Sequence, residues 1–423
     1  MPFSSLGFSP AQLPAFLRAL TEKGYLAPTA IQTSAIPAIL QGRDVVGSAQ
    51  TGSGKTAAFA LPLLQQLAEA PVHAPRRVRG LILVPTRELA AQVGETIVNL
   101  ARYLPQKVKV AVLSGGVSIN PQMMNLRGGA DVVVATPGRL LDLIDHNALT
   151  LASVSTLVLD EADRLLDLGF GEELGRILGL LPAQRQNLFF SATFPPAIEA
   201  LAATLLHQPL RIEVQAAAQI GPDIRQRAIE VDAGRRTQLL RHLVQSEGWS
   251  RVLVFVATKH AAEIVADKLR KAGIAAEPFH GELSQGKRTQ VLLDFKLKVL
   301  QVVVATDVAA RGIDIAQMPI VVNYDLPRSA VDYTHRIGRT GRAGESGMAI
   351  SFVSADTEAH FRLIEKRQHQ SVPREQIADF EPVQIGTSTA DAIASNGGVK
   401  GKRPSRKDKL REAAARGQSP HQE

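Results

Sequence analysis

The chain of 423 residues contains no cysteine, which removes disulfides, thiolate nucleophiles and cysteine-held zinc or iron–sulfur centres in one step. Aromatic residues are scarce, at 4% with a single tryptophan. A protein that reads single strands by stacking their bases on exposed rings would carry more. No apolar run approaches the roughly 18 residues of a membrane span. The opening "MPFSSLGFSP" (1–10) has neither the basic nor the apolar region of a secretory signal, so a cytoplasmic protein is expected. The ten histidines never gather at metal-ligand spacing, and any metal is expected to be a hard ion held by oxygen. Acidic excess is missing too: the net charge is +8 and the pI about 9.7, which favours an anionic partner. Much of that excess sits beyond residue 399. There Lys400, Lys402, Arg403, Arg406, Lys407, Lys409, Arg411 and Arg416 face Asp408, Glu412 and Glu423, and the body of the chain is only mildly basic.

What recurs is a short aliphatic run followed by a polar cluster. "LILVPTRE" (81–88), "VVVATPGR" (132–139), "TLVLDEAD" (156–163) and "NLFFSATF" (187–194) have this form, and so do "RVLVFVATK" (251–259), "QVVVATDVAARG" (301–312) and "IVVNYDLP" (320–327). Such runs, with helical periodicity between them, predict strands buried on both faces of a parallel sheet. In α/β sheets of this kind ligands gather beyond the carboxyl ends of the strands, where the polar clusters fall. The rhythm breaks at "VQAAAQIGPDIRQ" (214–226). The spacing therefore predicts two α/β domains, 1–214 and 227–386, joined by a linker over 215–226. A Ser-, Gly-, Lys- and Arg-rich tail over 387–423 is expected to be disordered.

Three stretches carry chemistry. "VVGSAQTGSGKT" (45–56) reads as strand, glycine-rich loop and helix start. Backbone N–H groups of such a loop cradle phosphate, Lys55 reaches the terminal phosphates and Thr56 suits Mg²⁺; Ala49 stands where the generic pattern has its first glycine. "DEAD" (160–163) packs three carboxylates behind a buried strand, a density that needs a cation. With a nucleotide's Mg²⁺ nearby, Asp160 is the natural metal partner, Glu161 is placed to polarise an attacking water, and Asp163 is placed to make an orienting ion pair or hydrogen bond. The plain alternative is an acidic helix start. "YTHRIGRTGRAG" (333–344) spaces Arg336, Arg339 and Arg342 by three, so that on a helical turn their guanidinium groups repel one another unless a phosphate lies between them. A solvated basic face is the alternative there.

These motifs in this order resemble the DEAD-box ATP-dependent RNA helicases of superfamily 2. The resemblance runs from about residue 3 to 384 through "GYLAPTAIQ" (24–32), "AQTGSGKT" (49–56), "PTREL" (85–89), "GG" (115–116), "TPGR" (136–139), "DEAD" (160–163), "SAT" (191–193), "VFVAT" (254–258), "HGELSQGKR" (280–288), "ATDVAARGID" (305–314) and "HRIGRTGR" (335–342). It is most similar to the bacterial RhlE-type branch, and Ala49 also fits the family. The resemblance implies two tandem RecA-like domains, the first carrying an adenine motif over 3–32. Gln32 would hydrogen-bond adenine, with Tyr25 and Thr29 shaping the pocket. Ala49, Thr51, Gly52, Ser53, Gly54, Lys55 and Thr56 would hold the phosphates, with Thr56 and Asp160 organising Mg²⁺ and Glu161 acting as base. Asp163, Ser191, Thr193 and His335 would couple nucleotide state to RNA, with His335 joining interdomain hydrogen bonds around Asp163. Asp314 would meet the ribose, and Arg339 and Arg342 the γ-phosphate. RNA would touch Pro85, Thr86, Arg87, Gly116, Thr136, Gly138, Arg139, Gly281 and Thr306. The segment from Phe3 to Gly24 is about four residues longer than the family's pattern, so Phe3 and Phe8 compete for an adenine-stacking role, or either belongs to the core.

The expected activity is RNA-stimulated ATP hydrolysis coupled to cleft closure and local remodelling of duplexes. An ATP-gated RNA clamp with little turnover is the alternative, and a DNA translocase a more distant one. Thr, Gly, Arg and backbone at strand ends suit phosphate and 2′-OH groups, so binding is expected to be largely independent of sequence and weakened by salt.

Overall fold

Each aliphatic run becomes a strand with both faces covered. The computed structural model describes residues 2–48, 53–213, 224–310, 318–341 and 346–383. In the first half β1 (Val45–Ser48), β2 (Gly80–Leu83), β3 (Val110–Leu113), β4 (Val132–Ala135), β5 (Thr156–Asp160), β6 (Gln186–Ser191) and β7 (Leu210–Glu213) form one parallel sheet, in the order β3, β4, β2, β5, β6, β1, β7. In the second half β8 (Ile224–Glu230), β9 (Val252–Val256), β10 (Ala276–Phe279), β11 (Val302–Thr306), β12 (Ile320–Asn323), β13 (Gly347–Val353) and β14 (Arg374–Glu375) form another, in the order β10, β11, β9, β12, β13, β8, β14. Numbered afresh, the second order repeats the first. The halves are one fold used twice, the expected tandem RecA-like pair.

Alternation within the strands explains why the runs are continuous rather than half polar. Val132 and Val134 of β4 join the core on one face of the first sheet, and Val133 and Ala135 the core on the other. Val252, Val254 and Val256 of β9 do the same against Leu253 and Phe255. Among the described residues no helix is long and apolar enough to cross a membrane.

One boundary moves. β8 begins at Ile224, inside the span expected as linker, and pairs with β13 from Ile224 opposite Gly347. Its sequence, "IRQRAIE", has no aliphatic run because its other neighbour is only the two-residue β14, so polar side chains are tolerated there. Residues 214–223 of that span and the tail 387–423 lie outside the described residues.

Candidate functional site

In both halves the polar clusters stand at the carboxyl ends of the strands, where a helix starts immediately. Lys55 is the first residue of the helix Lys55–Glu69 after β1, Thr86 caps Arg87–Leu100 after β2, Thr136 caps Pro137–Asp145 after β4, and Glu161 caps Ala162–Asp167 after β5. Exposed N–H groups and dipole ends therefore point to one side of the sheet, the side that suits anions.

The adenine motif is tied to the phosphate loop by a single side chain. Gln32 is buried; its Oε1 accepts from the Thr29 N–H at 2.9 Å and its Nε2 donates to the Gly54 carbonyl at 3.0 Å. Gly54 has φ 93°, and a Cβ there would stand 2.5 Å from Gln32 Nε2, so only glycine lets the loop pass this close. The Ser53 hydroxyl is buried with no partner among the described residues, which is costly unless a ligand oxygen meets it. Tyr25 lies exposed at the edge of this region, whereas Phe3 and Phe8 are both buried in the core of the first half. Ala49, Thr51 and Gly52 fall outside the described residues.

Asp160 and Glu161 sit at the end of β5 and are both buried. Burial pushes the Asp160 carboxyl up to about 6, against the opposing pull of Lys55, whose Nζ is 4.0 Å from Oδ1. Glu161 adopts the left-handed conformation, φ 53° and ψ 51°, which is uncommon for a residue with a side chain. Its Oε2 accepts from Arg164 Nη1 at 2.9 Å. Asp163 closes a ring with the strand beside it: its Oδ2 accepts from the Thr193 hydroxyl at 2.7 Å and the Thr193 N–H at 3.1 Å, while its own N–H donates to Ser191 Oγ at 3.2 Å. The expected coupling residues Asp163, Ser191 and Thr193 are thus in direct contact.

The second half contributes across the cleft. His335 is held down to about 4 by burial first and then by the positive charge of Arg164, with Asp163 pulling the other way and Arg339 adding to the depression. His335 and Arg339 therefore share one electrostatic neighbourhood with Asp163 and Arg164 of the first half. Arg339 itself is buried. Arg342 and Asp314 lie outside the described residues. The expectation that three arginines share one helical turn is corrected. The helix Ala330–Ile337 ends with Gly338 as its cap, before Arg339. Arg336 is consumed internally, with its Nε and Nη2 each 2.6 Å from an oxygen of Asp307.

On the face expected to meet RNA, Arg87 lies over Gly116. That glycine has φ 73°, and a Cβ on it would come 1.8 Å from Arg87 Nη1. Arg139 donates from Nη2 to the Val117 carbonyl at 2.8 Å, and its Nη1 is buried without a partner among the described residues. Pro85 and Thr136 are buried, Gly138 and Gly281 exposed, and Thr306 ends β11.

Sequence reasoning assigned no role to four residues that join these parts. Glu88 of the first half accepts from Arg288 Nη2 at 3.1 Å and from Gln285 Nε2 at 3.2 Å, both from the second half. Arg164 is the fourth. All were visible inside or beside quoted motifs ("PTREL", "HGELSQGKR", "DEAD"), but their pairing depends on contacts that spacing does not encode.

Two family models match this chain: "DEAD/DEAH box helicase" over residues 29–201 and "Helicase conserved C-terminal domain" over 235–344. The chain is 42% identical over 395 residues to a protein named ATP-dependent RNA helicase DeaD from Mycobacterium tuberculosis, covering 93% of this chain and 69% of that one. It is 40% identical over 372 residues to DEAD-box ATP-dependent RNA helicase CshA from Bacillus cereus, covering 88% and 69%. Among solved structures, S. cerevisiae Dbp5 bound to RNA and ADP BeF3 superposes with a TM-score of 0.77 at 30% identity, over 93% of this chain and 97% of that one.

Proposed function

The chain belongs to the DEAD-box family of ATP-dependent RNA helicases, and from that premise we propose how its residues divide the work between two halves. The first half binds ATP. Gln32, with Thr29 and Tyr25 beside it, meets the adenine. Ser53, Gly54, Lys55 and Thr56 meet the phosphates together with Ala49, Thr51 and Gly52, and the orphaned Ser53 hydroxyl is the group that a phosphate oxygen would satisfy. Asp314 serves the ribose.

Thr56 and Asp160 are the residues that would hold Mg²⁺. A buried carboxyl pushed to about 6 gains an ionised partner when a cation arrives. Among the described residues no group of three or more His, Asp or Glu stands ready to cage a metal, which suits an ion bound through one carboxylate and the nucleotide's own phosphates. Bound there, such an ion would supply positive charge to the phosphates.

In the reaction, a water oxygen bonds to the γ-phosphorus as the bond from that phosphorus to the β–γ bridging oxygen breaks, and the water's proton passes to Glu161. Arg339 and Arg342 supply positive charge to the γ-phosphate from the second half, a contribution that can reach 10³ or more in rate when an arginine is delivered across an interface. Asp163, Ser191, Thr193 and His335 transmit the state of the nucleotide to the RNA face. There Pro85, Thr86, Arg87, Gly116, Thr136, Gly138, Arg139, Gly281 and Thr306 hold the backbone, and the unpartnered Nη1 of Arg139 is a donor suited to a phosphate.

The observation that carries this reading is that the two halves meet: Glu88 of the first receives Arg288 and Gln285 of the second, and His335 of the second feels the charges of Arg164 and Asp163 of the first. Closing the cleft assembles the site, so RNA that bridges both halves stimulates hydrolysis. The test is steady-state ATPase activity with and without RNA for the wild type and Glu161→Gln. The variant should keep ATP and RNA binding and lose RNA-stimulated turnover by roughly 10²–10⁴; hydrolysis at the wild-type rate would remove Glu161 from the role of base. A clamp that holds RNA without turnover would show little stimulation in the wild type.

A further inference from the structure

A general base must be ionised, close to its water and correctly oriented, and a glutamate on a flexible stem does not orient itself. Glu161 has two features that bear on this. Its backbone is held in the left-handed region at the junction of β5 and the helix Ala162–Asp167. One carboxylate oxygen, Oε2, is tied at 2.9 Å to Nη1 of Arg164, three residues on. Both side chains are almost fully buried, so water does not compete for the guanidinium as it would on a surface. Arg164 is not placed there by the helix alone, for its N–H donates to Asp163 Oδ1 at 3.1 Å and its charge is felt by His335 from the opposite half. Asp163 spends its other carboxylate oxygen on Thr193.

We propose that Arg164 is a positioning residue for the carboxylate of Glu161: it anchors Oε2 and leaves Oε1 to receive the proton of the attacking water. The pair forms at the left-handed turn that Glu161 makes at the start of its own helix. This inference rests on Glu161 being the base. It adds that the base is preorganised by its own helix before RNA arrives, so that closure supplies the arginines and the RNA-dependent geometry but not the orientation of the base.

Two substitutions separate positioning from bulk structure. Arg164→Lys keeps a donor on a stem of similar reach, whereas Arg164→Met keeps the apolar stem and loses the donor. With saturating RNA, Arg164→Met should lose about tenfold or more in kcat, within the range that misplacing a reacting group costs. KM for ATP and affinity for RNA should stay within about twofold of wild type. Arg164→Lys, which still offers a donor, should recover part of that loss. In a Glu161→Gln background, Arg164→Met should change the residual rate no further, since it acts only through the carboxylate. A merely structural Arg164 gives another pattern: Met and Lys variants with equal kcat, or losses that multiply in the double variant. Either result overturns the proposal. If Glu161→Gln alone retains full turnover, the base assignment fails instead, and the two failures are told apart by that single variant.

Discussion

Glu88 offers the sharpest perturbation of closure, because its partners lie entirely in the other half of the molecule. In this structure its carboxylate receives Arg288 at 3.1 Å and Gln285 at 3.2 Å, and the Glu88 and Arg288 side chains are only 7% and 9% exposed. Burial pushes the Arg288 guanidinium down from its usual value; Glu88 opposes this, and the like charge of Arg87 adds to it. When the halves separate, both ions regain water. The pair therefore bears on the equilibrium between open and closed forms and hardly at all on the folding of either half. Removing one partner of a buried pair costs about 3–5 kcal/mol, because the other is left charged and dry. The slight exposure of both chains favours the low end, and roughly 3 kcal/mol is about a hundredfold in an equilibrium constant. Loss of an acidic side chain from the first turn of the helix Arg87–Leu100 is worth only about 0.3–1 kcal/mol, too little to account for such an effect.

Glu88→Ala should thus lower the closed population about a hundredfold with RNA and a nonhydrolysable ATP analogue bound, while ATP affinity without RNA stays near wild type. Energy transfer between dyes on the two halves reads the closed fraction, and RNA affinity in the presence of the analogue reads the same equilibrium. Replacing both residues by apolar ones should recover part of the loss, since no charge is then stranded. A closed fraction within twofold of wild type for Glu88→Ala would refute the reasoning, because it would mean that the pair forms without contributing to closure.

Three further outcomes follow from individual groups. Asp160 ionises at about 6 in the nucleotide-free fold against 3.8 ordinarily. The stability tied to it is full below 3.8 and is lost as pH rises through about 6, to the extent of roughly 3 kcal/mol; Asp160→Asn should flatten that part of a melting-temperature profile, and an unchanged slope would count against the assignment. His335 behaves in the opposite sense: with its value depressed to about 4 from 6.5, the stability tied to it is full above 6.5 and is progressively lost as pH falls towards 4, and His335→Gln should remove that dependence from a melting-temperature profile. Gly116→Ala forces a Cβ into the place of the Arg87 guanidinium at a φ of 73°, so it should weaken RNA binding without changing ATP binding, and adding Arg87→Ala should cost little more; additive losses would separate the two residues.

How much of this could be read from the sequence depends on how local each cause is. The strands were legible because a strand covered on both faces must be aliphatic throughout, as β4 and β9 are. β8 was not, because it lies next to a two-residue strand and carries "IRQRAIE", a pattern that matches no buried run; the domain boundary was therefore drawn late. The ring of Asp163, Ser191 and Thr193 was legible as motifs but not as contacts, since β5 and β6 had first to be neighbours in register, with Asp160 opposite Phe190. The arginine series misled for a local reason: spacing by three implies a helical turn only where the helix continues, and here Gly338 caps it. Glu88 and Gln285 are 197 positions apart, and no pattern within a helix or strand anticipates such a pair. These failures share a direction. What sequence pattern reveals is the apparatus each half builds for itself, the phosphate loop, the acids and the strand-end polar clusters. What it hides is the pairing of Glu88 with Arg288 and Gln285 across the halves; the approach of His335 to Asp163 is one that the resemblance had implied. On the proposed reading, in which hydrolysis waits on closure, those cross-half contacts set the coupling between ATP and RNA. Substitutions confined to them should alter RNA stimulation while leaving nucleotide binding to the first half largely intact.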